Sequence, residues 1–582
     1  MKKTLSFMVV AILALSMFAG CGSKDSPETG AEGLYTAGTY TGEADGHNGK
    51  VKVEVEVDAE KILSVKVLEN EETEGIADPA IENIPAKIVA DQTLAVDTVA
   101  GATVTSEAIL LAVEEALKEA GADIDALKAK KSDDKDGEKI TKDVDLVVVG
   151  AGIAGLAATL EAINNGANVI LLEKMPAAGG STIRSGGKIL GANTKWQKEK
   201  GIEDTAEQFS EYLMEVGENK VDKDFIDLIA NKSAENLNWL EENGVEFEPD
   251  VEALHSSIKP DRGHWTANDS GAGFTQPLEA KIKEEGGEIL YETPATSLIE
   301  KDGKVVGVMA ENADGDEITI NAKAVILATG GFTRNEDMVK EYFPSAGNIT
   351  TNVGDGNTGD GILMGKEVGA ELIMNDAGIN LALNNPTYYG YGEEAKGLFV
   401  DPSGERFMDE SKFHFTRTRI MMDLDIDNCW YVFDENTFND RVAGALEAGT
   451  AVEADSIEEL AEKMEADPVK LKSTLDKYNE MSKAGEDTDF GKSADFMNAV
   501  EEGKFYAAHM TMSNSGTHGG LKIDIDGKVI DTKGDVIPGL YAAGEVASGQ
   551  ILYKEYTGSG TAIISILTFG RQAGKSAAEE IK

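Results

Sequence analysis

Residues 143–174, DVDLVVVGAGIAGLAATLEAINNGANVILLEK, decide how the rest of the chain is read. The apolar run Leu146-Val147-Val148-Val149 has the pattern of a strand buried on both faces, as strands of parallel sheets are. Gly150, Gly152 and Gly155 follow at once, then an alanine-rich helical stretch, then a second apolar strand ending at Glu173. Strand, glycine turn, helix and strand together make a dinucleotide-binding unit. Gly150 permits the tight turn, Gly152 lets a pyrophosphate approach the backbone, and Gly155 allows close helix–strand packing. The helix N-terminus offers amides to the phosphates, and the Glu173 carboxylate suits ribose hydroxyls.

A second small-residue turn, Gly179-Gly180-Ser181-Thr182, lies just past the acidic residue. It favours FAD over NAD, because the longer flavin dinucleotide continues across a second loop. Further stretches follow: Ala328-Thr329-Gly330-Gly331, Thr358-Gly359-Asp360-Gly361, Ile537 to Gly544-Glu545, and Gly560-Thr561-Ala562. In this order they resemble the fumarate reductase and flavocytochrome c flavoprotein family, from Val144 to Lys582. The resemblance implies an α/β, Rossmann-like FAD-binding domain in two parts, 143–369 and 503–582. A capping (clamp) domain, 370–502, interrupts it. It also implies non-covalent FAD held by Gly150, Gly152, Gly155, Glu173, Gly180, Ser181, Thr329, Gly330, Asp360, Gly544 and Glu545. Thr561 and Ala562 would open a helix whose dipole meets the flavin C2 carbonyl.

Ahead of this lies a separate unit, 34–122, with alternating strands (VKVEVEVDAEKILSVKVL) and an amphipathic helix (SEAILLAVEEALKEAG). Between them stand Asp97-Thr98-Val99-Ala100-Gly101-Ala102-Thr103-Val104-Thr105-Ser106. This segment resembles the flavinylation motif of FMN-binding domains, small α+β units in which a flavin transferase joins FMN phosphate to a threonine hydroxyl. Carried over, the acceptor is Thr103, Asp97 opens the motif, and Gly101 and Ala102 leave room for the phosphate. Ala100 departs from the more usual Ser or Thr. Gly38-Thr39-Tyr40, Gly42-Glu43-Ala44, Glu72-Thr73 and Ile84-Pro85 extend the likeness. The plainer reading is a small-residue turn with Thr105 or Ser106 as N-cap. Residues 123–142 are charged, lack apolar periodicity, and read as a linker.

At 582 residues the chain exceeds one core, and its net charge of −51 excludes nucleic acid, which needs basic faces. The opening differs: Lys2 and Lys3, an apolar run from Leu5 to Ala19, then Gly20-Cys21. That order reads as a secretory signal. Small residues before a cysteine resemble a bacterial lipobox, which implies a signal over 1–21, a lipid anchor on Cys21 and a polar tether, 22–33. The expected location is secreted, on the outer face of the bacterial cytoplasmic membrane. Cys429 is the other cysteine, so no disulfide is expected, and no CxxCH haem motif occurs.

An FMN module fused to this flavoprotein resembles the urocanate and fumarate reductase type. The type implies electrons passing from a membrane or extracellular donor through FMN to FAD. They would then pass, as hydride, to the activated double bond of a small unsaturated acid. A general acid must protonate the neighbouring carbon. Gly404-Glu405-Arg406-Phe407-Met408-Asp409-Glu410 matches the family segment before that acid. The usual spacing puts the acid on His414; three extra residues put it on Arg417, with a carboxylate such as Glu410 as relay. His264 falls near a substrate-contacting histidine of the family, and His518 beside the flavin edge. The family's dicarboxylate-binding residues are replaced around Tyr389, Tyr391, Tyr553 and Tyr556, which points to a larger, less charged or aromatic substrate. Two other readings stand beside this one: a ketosteroid dehydrogenase-like enzyme running in reverse, and a non-catalytic flavin electron-carrier lipoprotein.

Overall fold

The runs Leu146–Val149, Val169–Leu172 and Ala324–Leu327 are buried at every position. They are the inner strands of a six-stranded sheet, ordered Lys528–Ile530, Val536–Ala542, Ala324–Leu327, Leu146–Val149, Val169–Leu172, Glu288–Leu290. The first pairing is antiparallel and the other four are parallel. Val325 lies between Val147 and Leu540, so the C-terminal region completes the sheet begun near residue 146. Against this sheet the helices Ile153–Asn164 and Thr561–Glu580 cross with their backbones almost touching. A Cβ at Gly570 or Gly574 would lie 2.5 or 2.2 Å from the carbonyl oxygens of Ala154 and Ala158. This computed structural model describes residues 34–73, 77–99, 102–129, 137–346, 350–384 and 396–582. Among them no helix is long and apolar enough to cross a membrane; the proposed anchor at Cys21 lies outside the described residues.

The N-terminal unit is a three-stranded antiparallel sheet, Gly38–Asp45, Lys50–Val57 and Ile62–Glu69. Val51, Val53, Val55 and Val57 alternate with polar residues and are buried. Over them lies the helix Thr103–Glu119, which contributes Ile109, Ala112, Val113 and Ala116. Gly42 is where sheet and helix meet: a Cβ there would fall 2.0 Å from the Ala112 carbonyl oxygen. Each buried valine contributes about 1.5–3 kcal/mol of transfer free energy.

The linker expectation for 123–142 needs correction. Ile124–Ala129 is a helix held to the N-terminal unit, where the Leu94 amide and the Thr93 hydroxyl donate to the Leu127 carbonyl. Lys139–Asp143 is a strand, parallel to Glu317–Asn321 at the edge of a four-stranded sheet. Its half-buried face carries only Ile140 and Lys142, so one apolar residue amid charges hid the alternation.

The clamp is a mixed sheet between two small cores. Cys429, Tyr431 and Phe433 of the strand Asn428–Asp434 face one core, and Val432 faces the other. Its boundaries were read too sharply. Leu372–Leu383 and Phe505–Leu521 pair antiparallel and run from the flavin body into the clamp as one ribbon. Met510 and Met512 pack in a clamp core while Leu521 packs in the body. A continuous strand leaves no composition break at 502.

Candidate functional site

One cavity collects Gly150, Gly152, Glu173, Gly180, Ser181, Thr329, Gly330, Asp360, Gly544 and Glu545 along its walls. The glycines divide the work as expected. Gly150 has φ +103°, and a Cβ there would lie 2.4 Å from the Ala328 carbonyl oxygen; one at Gly155 would lie 1.8 Å from that of Gly150. Gly152 is different: a Cβ would meet nothing closer than 3.9 Å. The protein itself does not require glycine there, so the open space is left for a ligand at the start of the helix Ile153–Asn164. Glu173 is buried, and its carboxylate accepts the amides of Ala151 and Met175, each at 2.8 Å. Burial pushes its pKa up while these amides hold it down. Each oxygen keeps a further lone pair for a ribose diol.

Glu545 ties three distant segments together at the far wall. It accepts from the Thr517 amide at 2.6 Å, the Thr517 hydroxyl at 3.0 Å and the Asn357 side chain at 3.0 Å. Burial raises its pKa against those donors. The Thr329 hydroxyl, on the cavity wall, is buried without a hydrogen-bond partner. Folded proteins leave few such groups orphaned. A polar cofactor in the cavity would satisfy it, so the residues present fit FAD.

At the N-terminal unit, three hydroxyls compete for modification. Ser106 accepts the Val99 amide at 3.0 Å and donates to the Ala102 carbonyl at 2.9 Å. Thr105 is buried and donates to Glu72, which also accepts the Asn48 amide at 2.9 Å. Thr103 is exposed at the first turn of a 17-residue helix. It is the hydroxyl that an FMN phosphate can reach, and the helix dipole favours the anion there. The N-cap is Ala102, with no side-chain cap, so Thr105 and Ser106 do not cap the helix. Asp97 is exposed, and Gly101 lies outside the described residues.

The clamp helix His414–Asp423 brings the two acid candidates one turn apart. Arg417 is buried, lies 5.3 Å over the Phe399 ring and donates to the Glu410 carbonyl at 3.3 Å. Burial pushes its pKa down to about 10. His414 is half-buried between Phe413 and Phe415. Burial first, then the charges of Arg417, His255 and Lys188, pushes it down to about 3, so it holds no extra proton at neutral pH. The Glu410 carboxylate is not turned on Arg417. It accepts Arg406 at 2.8 and 2.9 Å, Lys492 at 3.1 Å and the Phe399 amide at 3.1 Å. Arg406 in turn holds Asp487 at 2.9 and 3.0 Å. A relay through the Glu410 side chain is therefore replaced by a positioning role.

A family model of the FAD binding domain matches residues 145–561, and one of the FMN-binding domain matches residues 46–118. Urocanate reductase of Eggerthella lenta is 32% identical over 598 residues, covering 98% of this chain and 97% of that protein. The chain belongs to this family of two-flavin flavoprotein oxidoreductases. NADH:acrylate oxidoreductase of Vibrio harveyi is 34% identical over 626 residues; the match takes in 94% of this chain and 61% of that longer protein. The open conformation of a flavocytochrome c3 fumarate reductase superposes with TM-score 0.65 at 30% identity, covering 76% of this chain and 79% of that one.

Within the flavoprotein, the remaining candidates separate. His264 is fully buried, with one ring nitrogen 2.9 Å from the Thr194 hydroxyl and the other 2.9 Å from the Arg262 carbonyl. Both nitrogens are engaged inside the protein, so a substrate contact is corrected to a packing role. His518 is buried 6.1 Å from the Tyr556 ring, and burial pushes its pKa down to about 4 against a hydrogen bond to the Tyr553 backbone. Tyr556 is buried against Phe415, and its hydroxyl accepts the Ala562 amide at 2.9 Å. The Thr561 amide goes to the Gly558 carbonyl at 3.0 Å. The turn before the last helix thus takes up both the Thr561 and Ala562 amides, and the helix Thr561–Glu580 begins at the residues the resemblance gave. Tyr553 is half-buried, while Tyr389 and Tyr391 lie outside the described residues. Sequence reasoning missed Asn357 and Lys174; Lys174 ties Thr358 and Asp360 to the cavity at 2.6 and 2.5 Å. Their signal was only a polar residue flanking each glycine turn.

Proposed function

We propose that this flavoprotein reduces the activated carbon–carbon double bond of a small unsaturated acid, with electrons relayed from FMN on Thr103 to FAD. The observation that carries the reading is the pairing of two flavin modules in one chain, since the urocanate reductase match spans both. A steroid dehydrogenase-like enzyme has no need of a flavin relay, and an inert carrier has no need of an orphaned polar site beside its FAD cavity. The chemistry FAD supplies when bound is two-electron reduction of the substrate as hydride.

The chain's own residues do the rest. Gly152 and the helix behind it receive the pyrophosphate, and Glu173 the ribose. Arg417, held by the Glu410 carbonyl and lowered in pKa by burial, gives the proton to the carbon next to the reduced one. His518, neutral at working pH, offers a hydrogen bond to the activating group. The Arg406–Glu410–Lys492–Asp487 network fixes the loop that positions Arg417. We assign the lipid anchor to Cys21, maturation to a flavin transferase, and electron supply to a membrane or extracellular donor.

The test is anaerobic turnover with reduced viologen across fumarate, urocanate and cinnamate. Thr103→Val should lose FMN mass yet keep FAD and viologen-driven turnover, while turnover with a membrane donor disappears. Wild-type protein that reduces none of these acids would overturn the reading.

A further inference from the structure

Lys188 opens the short strand Lys188–Leu190, soon after Ser181 and Thr182 leave the wall of the FAD cavity. Its side chain is only 11% exposed, and its ammonium lies 4.8 Å over the Trp265 ring. Among the described residues its one ion-pair partner is Glu252, at 3.3 Å. Glu252 is itself 55% exposed, so the pair is long, wet and weak. An ammonium carries three N–H donors. Donors are therefore left over on a cation that is almost closed off from water.

The surroundings of Lys188 lead to the clamp. Glu252 begins a loop that carries Leu254 and His255 across to it. The His255 Nε2 lies 3.0 Å from the Ser411 carbonyl, and its ring 5.6 Å from that of Phe413. The Phe413 ring is in turn 4.5 Å from His414, which begins the helix that carries Arg417. Burial first, then the charges of Arg417, His255 and Lys188, keeps the His414 imidazole unprotonated, so Lys188 stands across the seam from that helix. Flavin body and clamp thus bring basic side chains together from both sides.

We propose that Lys188 is a specificity-determining residue, whose ammonium receives the carboxylate of the unsaturated acid on the flavin-body side of the seam, facing Arg417. The inference rests on the reductase reading above. A carboxylate there takes up the spare donors in charge-assisted hydrogen bonds and offsets the crowding of positive charge. A neutral amide of the same shape can accept a hydrogen bond but brings no charge. Glu252 competes with the ligand for the same ammonium.

Cinnamate and cinnamamide binding to the FAD-loaded protein can be followed by perturbation of flavin absorbance, which needs no turnover. The wild type should prefer the acid. Lys188→Gln should weaken cinnamate by about ten-fold or more and leave cinnamamide within about two-fold. Glu252→Gln, which still accepts the Trp265 indole N–H now at 2.7 Å, should instead tighten cinnamate. A wild type with no preference for the acid overturns the inference, as does equal weakening of acid and amide, or an unchanged ratio, in Lys188→Gln. Looser cinnamate binding in Glu252→Gln counts against it in the same way. A wild type that binds cinnamate through Lys188 but reduces none of the unsaturated acids keeps the anchor and sinks the reductase reading alone.

Discussion

The FAD cavity and the clamp helix answer to different physics. At the cavity, residues chosen from separate stretches between Gly150 and Glu545 converge on one surface. At the clamp, five catalytic candidates scatter: His414 and Arg417 share a helix, Glu410 turns its carboxylate to Arg406, His264 is packed away, and His518 stands across the loop. The cofactor is recognised largely through backbone approach, so its demands are written in glycines at fixed intervals. The substrate is recognised by side chains whose roles depend on which neighbours they meet.

The contrast can be broken at its strongest point. Gly155→Val places atoms where only 1.8 Å separates a Cβ from a carbonyl oxygen. The purified protein should retain less than about a tenth of its FAD, read as the flavin released on denaturation per protein, since covalent FMN stays on the chain. Full FAD content would mean that the helix–strand packing is not what makes the cavity.

The clamp side is sharpened by a pair of substitutions. Arg417→Ala should cut turnover by about a hundred- to ten-thousand-fold, while FAD stays bound and reducible. His414→Ala should cost far less, because a histidine with a pKa pushed down to about 3 is no proton donor at neutral pH. A larger loss in His414→Ala than in Arg417→Ala would place the acid on the histidine.

A smaller effect follows from charge burial. Removing one partner of the buried network by Glu410→Ala should destabilise the protein by roughly 3–5 kcal/mol, seen as a lower Tm. Arg406→Ala should behave likewise, and the double variant should not add the two losses.

The smallest concerns pH. His264, His414 and His518 have pKa values lowered by burial, to about 4, 3 and 4. The unfolded chain therefore binds protons before the folded one does. Their contribution to stability is present above the unfolded histidine range, about 6.5, and is lost as pH falls towards those folded values. Tm should decline between pH 6.5 and 4, and His264→Gln should flatten part of that slope.

How much the sequence disclosed follows the same division. The parallel core strands were legible because burial on both faces leaves unbroken apolar runs. The FMN-binding unit was legible because its small-residue stretch before the helix Thr103–Glu119 is a local motif. Lys139–Asp143 was hidden because an edge strand this short turns a single apolar residue, Ile140, to the core. The turn of Tyr556 over Ala562 was hidden too, since it depends on a loop folding back on the helix that follows it. Likewise nothing in Phe505–Leu521 says that one strand serves two cores.

The pairing of Val325 with both Val147 and Leu540 bears on how the protein is made. The glycine turn at 150 and the wall carrying Gly544 and Glu545 are held side by side by that sheet alone. A chain lacking residues 533–582 would offer FAD an open trough in place of a closed site, and should purify without bound FAD.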